Sequence, residues 1–193
     1  MVAKTDMPRL QKLYKETVGP KLMQEFGLAN VNQLPRMDKI VVNCGVGRFL
    51  ENQKLKPEVR DTVIDTLTKI TGQKPVIVQA RKSVANFKVR EGAPSAVMVT
   101  LRRERMWHFL DRLINLAIPR IKDFRGVKDT SFDAAGTYSL GLGEQAVWPE
   151  INMGTVSFTH GMNINIVFEK SSPALSRALL AELGMPFVRR EDN

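Results

Sequence analysis

The chain reads as an α+β protein: a ferredoxin-like split βαβ antiparallel sheet with helices on one face, an N-terminal helix, a glycine-containing insertion and a C-terminal helix. Two observations predict it. From residue 39 onward the hydrophobic period switches in the order strand, helix, strand, strand, helix, strand, and Gly or Pro marks most switches. The length of 193 residues at 43% hydrophobic content is also enough to bury a core. The expectation is one domain over 1–193, with the N-terminal helix at 8–26 and the insertion at 124–161.

Taken in order, Leu10, Leu13, Tyr14, Val18, Leu22 and Phe26 recur at helical spacing, with a bend expected at Gly19-Pro20 and a stop at Gly27. "KIVVNCGVG" from Lys39 is a β-branched run closed by glycines and predicts a buried strand. "PEVRDTVIDTLTKITG" has Pro57 at its first turn, an apolar stripe from Val59 to Ile70, and Gly72 as its stop. "PVIVQA" and "SAVMVTLR" are the next two strands. The helical period returns from Glu104 through Ala117 and is expected to end at Pro119. The insertion contains the alternating piece "TYSLGLG", which is expected to add an edge strand. "MNINIVFEK" puts Met162, Ile164, Ile166 and Phe168 on one face, and "SSPALSRALLAELG" has Ser172 as N-cap and Gly184 as stop.

The net charge of +9 is unevenly spread. Between Arg81 and Lys128 stand twelve Lys or Arg and four acids, so this quarter of the chain carries +8. Such clustering is the footprint of a protein that faces a polyanion. No apolar run is long enough to cross a membrane, and the N-terminus has no export signal, so the expected address is the cytoplasm without a membrane partner. One cysteine and two histidines exclude a disulfide framework and the usual zinc spacings, so no metal or cofactor is expected.

Residues that tempt a catalytic reading are weak. "CGVGRF" lacks the third glycine of a dinucleotide fingerprint. Cys44 has no identifiable base and reads as a small buried apolar residue. His108 and His160 are isolated, and Asp61 with Asp65 sits on a polar helix face beside Arg60 and Lys69. A phosphate-handling enzyme using "CGVGR" and Arg48 as an anion cradle therefore lacks a nucleophile. A messenger-binding RNA sheet lacks its paired strand aromatics, since "IVVNCGVG" and "SAVMVTLR" contain none.

The stretch "ARKSVANFKVREG" from Ala80 to Gly92 joins two neighbouring strands and is far longer than a hairpin turn requires. Arg81, Lys82, Lys88 and Arg90 offer phosphate donors, and Ser83 and Asn86 offer smaller polar groups. Phe87 has two readings, a ring that stacks on an unstacked base or one that packs on the protein and anchors the loop.

The combination of "ARKS", "FKxREG", "VTLRRERM" and "IPRIxDFRG", with "EQAVWPEI" and the closing "LGMPF", closely resembles the bacterial family of 5S-rRNA-binding large-subunit ribosomal protein number five, from about Leu10 to Phe187. The resemblance implies a structural, non-enzymatic protein of the ribosome that helps form the central protuberance. It implies 5S rRNA recognition by Asn43, Gln73, Phe87 and Thr100, with Arg102 and Arg103 as further RNA-binding residues. Its implied partners are 5S rRNA, large-subunit rRNA, the peptidyl-site transfer RNA and a head protein of the small subunit, with no homo-oligomer. The last two partners fall to the loop residues Arg81, Lys82, Ser83, Asn86, Lys88 and Arg90, with Phe87 at the loop's root. The chain departs from the family at Asn86 and Ala96, where Gly is frequent, at Met98, where Lys is frequent, and at Ala134 and Ala135. Asn86 is expected to keep a left-handed turn, and Met98 removes a cation from its strand.

Overall fold

The computed structural model describes residues 7–51, 54–87, 89–156 and 158–188. Among these residues seven strands are present: β1 (Arg36–Gly45), β2 (Leu50–Glu51), β3 (Lys54–Leu55), β4 (Val76–Gln79), β5 (Pro94–Leu101), β6 (Tyr138–Leu142) and β7 (Met162–Glu169). The helices are α1 (Arg9–Leu13), α2 (Gly19–Glu25), α3 (Pro57–Thr71), α4 (Arg103–Arg112) and α5 (Pro173–Glu182). Five strands form one antiparallel sheet in the order β4-β5-β1-β7-β6. Without β6 this is the order of a split βαβ fold, and β6, from the insertion, lies at the edge beside β7 as expected. The short β2–β3 hairpin has no counterpart in the sequence reading, because its two-residue arms carry no period.

The N-terminal helix is two short α segments, and the second begins at Gly19-Pro20, the position expected for the bend. Tyr14–Val18 is a π-helical segment that joins α1 to α2, and Gly19 stays right-handed at φ −57°. A second π segment, Leu113–Ala117, lies just before Pro119, and the helix ends as expected at that proline, in a single 3-10 turn, Ile118–Arg120, followed by extended Ile121. Proline removes one backbone donor and clashes with the carbonyl four residues earlier. The wider π turn in front of each proline accommodates that missing bond.

By contacts the chain groups into two compact units. Unit 1 comprises 1–40, 101–140 and 165–193, and its described core includes Leu10, Leu22, Phe109, Leu110, Tyr138 and Leu179. Here α1 packs on α4, with Tyr14 and Trp107 rings 5.7 Å apart and Arg9 bound to Asp111. Lys21 on α2 reaches Glu182 on α5 at 2.6 Å. Ser172 caps α5 by accepting from the Leu175 amide, the role its position predicts.

Unit 2 comprises 41–100 and 141–164. One face of its strands, with Val42, Cys44, Val97, Val99, Met162 and Ile164, is buried together with Val63, Leu67 and Ile70 of α3. The alternation predicted for 162–168 is observed. Gly72 closes α3 in the left-handed region at φ +66°, where its amide donates to the Thr68 carbonyl at 2.8 Å, so the chain can turn directly into β4. Among the described residues no helix is long and apolar enough to cross a membrane.

Candidate nucleic-acid interface

The alternation that buries Val42, Cys44, Val97 and Val99 turns Asn43, Met98 and Thr100 to the opposite face of unit 2, where they are half-buried. β1 and β5 are neighbours, so Asn43 and Thr100 stand on adjacent strands of this open face. Gln73 joins them from the end of α3. Its amide Nε2 donates to the Thr100 carbonyl at 3.2 Å, and its backbone amide donates to the Thr71 hydroxyl at 3.3 Å. Asn43 and Thr100 thus lie on one face of neighbouring strands, and Gln73 is tied to the Thr100 backbone. The open face also holds Val76, 65% exposed and paired in register with Met98, which makes an apolar spot there.

The 80–93 stretch is an ordered finger. At its base the Ala80 amide donates to Ala93 O at 2.8 Å and the Gly92 amide to Ala80 O at 3.0 Å. Farther out, Val84 and Val89 exchange backbone bonds of 2.9 and 3.3 Å, and the Ser83 hydroxyl accepts from the Glu91 amide at 3.0 Å. Beyond that bridge Ala85–Phe87 makes a 3-10 turn. Phe87 is thus at the tip of the finger and not at its root. Its ring is 77% exposed, which decides against the reading that it packs on the protein. Asn86 sits in the same turn without a left-handed conformation, so that expectation is also corrected: the positive-φ residues other than glycine are Arg103, Asp123 and Lys170 among the described residues. Arg81, Lys82, Ser83 and Arg90 are exposed, and Lys88 lies outside the described residues.

Arg102 and Arg103 belong to unit 1, where Arg102 is the N-cap of α4 and Arg103 opens the helix at φ +54°. Both are exposed. Asp61 and Asp65 are exposed and held by Arg60 at 2.9 Å and Lys69 at 2.7 Å, as a solvated helix face requires. Burial pushes the Cys44 thiol up to about 12, so no thiolate is available as a nucleophile near neutral pH. Among the described residues no group of three or more His, Cys, Asp or Glu could hold a metal.

Two further features of unit 2 involve Arg48, singled out by the sequence only as part of an anion cradle, and Gln145, which it did not single out. Arg48 rides on the 3-10 turn Gly47–Phe49, which is tied to the start of β5 by the Val46 amide on Ser95 O at 3.0 Å. With Phe87 it lines a pocket beside the finger. Gln145 is fully buried and clamps the insertion: its Nε2 donates to Phe158 O at 2.8 Å and its Oε1 accepts from the His160 amide at 2.6 Å. A glutamine in "GEQAVW" gives no hint of burial. His160 is also buried, its Nε2 lacks a hydrogen-bond partner among the described residues, and desolvation holds its pKa below the ordinary histidine value.

Residues 30–90 match the family model for ribosomal protein L5, and residues 94–187 match the model for the C-terminus of the same ribosomal family. The large ribosomal subunit protein uL5 of Synechocystis sp. is 51% identical, with 93% of this chain and 97% of that protein covered. The uL5 of Salinibacter ruber is 50% identical over 97% of this chain and 96% of that protein, and that of Geobacter sulfurreducens is 49% identical over 94% and 99%.

Proposed function

We propose, from the premise that the chain belongs to the ribosomal protein L5 family and is a non-enzymatic constituent of the large ribosomal subunit, that it binds 5S rRNA through the open sheet face of unit 2. It works in the cytoplasm as part of the ribosome. The observation that supports the 5S reading is that Asn43 and Thr100 lie on one face of neighbouring strands, opposite the face that packs on α3, with Gln73 bonded to the Thr100 carbonyl. A pre-set group of amides and a hydroxyl reads RNA shape, 2′-hydroxyls and base edges, while the +8 segment from Arg81 to Lys128 supplies salt-dependent affinity. Arg102 and Arg103 add phosphate contacts from unit 1.

The finger extends the same reading. Its exposed cations and its ring face the peptidyl-site transfer RNA and a small-subunit head protein, the partners that the family resemblance implies. A hairpin that only reversed the chain would need two to five residues and none of these cations. The protein as a whole helps build the central protuberance with large-subunit rRNA.

Gel shifts test the proposal. The wild-type protein is expected to shift 5S rRNA and to leave an unrelated RNA of similar size unshifted in competition. Asn43→Ala and Thr100→Ala are each expected to weaken 5S binding by ~1 to 3 kcal/mol with unchanged circular dichroism. Equal shifts of both RNAs, or wild-type affinity in both variants, would refute it.

A further inference from the structure

We propose that the pocket beside the finger in unit 2 takes one unpaired base of an RNA strand, and that Arg48 is a base-contacting residue that acts together with Phe87. The inference rests on the RNA-binding reading above and names a ligand and a residue for it.

Phe87 is the most exposed of the large hydrophobic side chains in the described residues, at 77%. The turn that carries it is closed by the Val84–Val89 bridge and by the bonds at the finger's base. The ring is thus held out toward solvent by an ordered backbone, with no aromatic partner among the described residues.

The pocket next to it measures about 460 Å³ and is lined by Phe87, Val84 and Val89 on the apolar side, and by Arg48, Lys82 and Ser95 on the polar side. No carboxylate is among the lining residues. Among the described residues neither Arg48 nor Lys82 is engaged in an ion pair, although Arg48 is fixed at its backbone by the tie of Val46 to Ser95. Such a site offers an aromatic face, two cations and one hydroxyl. That is the set a nucleotide needs, with stacking for the base and positive charge for its phosphates. The volume is on the scale of a single nucleotide, and the exposed ring stacks only on a base that is free of its own stack, so the strand presents an unpaired base there. A planar guanidinium can stack on or pair with that base, whereas a lysine at position 48 could supply only charge.

The shared chemistry is an unpaired nucleotide, and the two candidate sources are 5S rRNA and transfer RNA. The test is filter binding of each RNA to the full chain carrying Arg48→Lys, Phe87→Leu, or both, with ultraviolet crosslinking of the wild type mapped on the RNA by primer extension. With one of the two RNAs, each single variant is expected to lose roughly five- to hundredfold in affinity. Arg48→Lys should keep the wild-type salt slope, because the charge is retained. The double variant should lose little more than the worse single one, because both groups hold the same base. Crosslinks should stop primer extension at one unpaired nucleotide. Circular dichroism and thermal midpoint should not move, since both side chains line the surface and neither belongs to the core. Wild-type affinity of Arg48→Lys for both RNAs, or losses in the double variant that simply multiply, would overturn the inference. Failure of the broader reading looks different: the wild type itself would not prefer 5S rRNA over the unrelated RNA.

Discussion

Replacing Gln145 by Ala should destabilise unit 2 while sparing its RNA-facing residues. The side chain is fully buried and makes two bonds, donating to Phe158 O at 2.8 Å and accepting from the His160 amide at 2.6 Å. His160 is only 6% exposed, so its orphaned amide should cost ~1 to 3 kcal/mol. The half-buried Phe158 carbonyl should add about 1 kcal/mol, and the void left by the lost side chain about as much again. The sum is about 3 to 5 kcal/mol, since the backbone bond from the Gln145 amide to His160 O remains. Trp148 is fully buried in the same unit, and its amide donates to Gln145 O at 3.1 Å, which makes it a local reporter. Urea unfolding followed by Trp148 fluorescence in a Trp107→Phe background should shift its midpoint by roughly 1 to 2.5 M, taking a slope of about 2 to 3 kcal/mol per M. Gln145→Leu should lose nearly as much, because it restores volume without either bond. A shift below about 0.5 M at unchanged slope in both variants would refute the clamp.

Three further outcomes are expected. Gly126→Ala would bring a Cβ to 2.8 Å from the Val188 amide nitrogen and 2.9 Å from its Cα, at φ +107°, so calorimetry should show a midpoint about 4 to 8 °C lower, for a loss of about 2 kcal/mol. His160 is held neutral by burial, with a native pKa below 6.5, so the unfolded chain takes up the proton first as pH falls. Stability should therefore be full above about pH 6.5 and drop progressively from there down through the lowered native value, and a His160→Asn variant should show a flatter pH profile in urea titrations. Replacing Arg81, Lys82, Lys88 and Arg90 together by Gln should impair subunit joining with transfer RNA present by more than about tenfold, and 5S binding by less than about fivefold, measured by light scattering and filter binding. The reverse pattern would make the finger part of the 5S site.

Most of the fold was legible because local chemistry and tertiary environment agree. Pro57 and Gly72 bound α3, Ser172 caps α5, and the period-two pattern of 162–168 survives because one side of β7 is buried. The strand order followed from the succession of elements, since short connections and a fixed hand leave few topologies for that succession. The motifs also identified the ribosomal family, because a run of specific residues constrains identity more tightly than period does.

Other features depended on residues distant in the chain. The π turns that precede Pro20 and Pro119 had no sequence signal, because a widened turn depends on how the helix packs and not on its period. Sequence spacing placed Phe87 inside a long loop but not at its tip, since that depends on which pairs, Ala80 with Ala93 and Val84 with Val89, close across the finger. Gln145 became significant only through partners 13 or more residues away, and Arg48, read in sequence as part of an anion cradle, shares a pocket with Phe87 that only the folded chain forms. A sequence thus determined which segments could bury an apolar face and where they must stop, which are local properties. The tertiary structure decided which polar groups meet, because hydrogen bonds and pockets depend on positions that only the folded chain brings within a few ångströms.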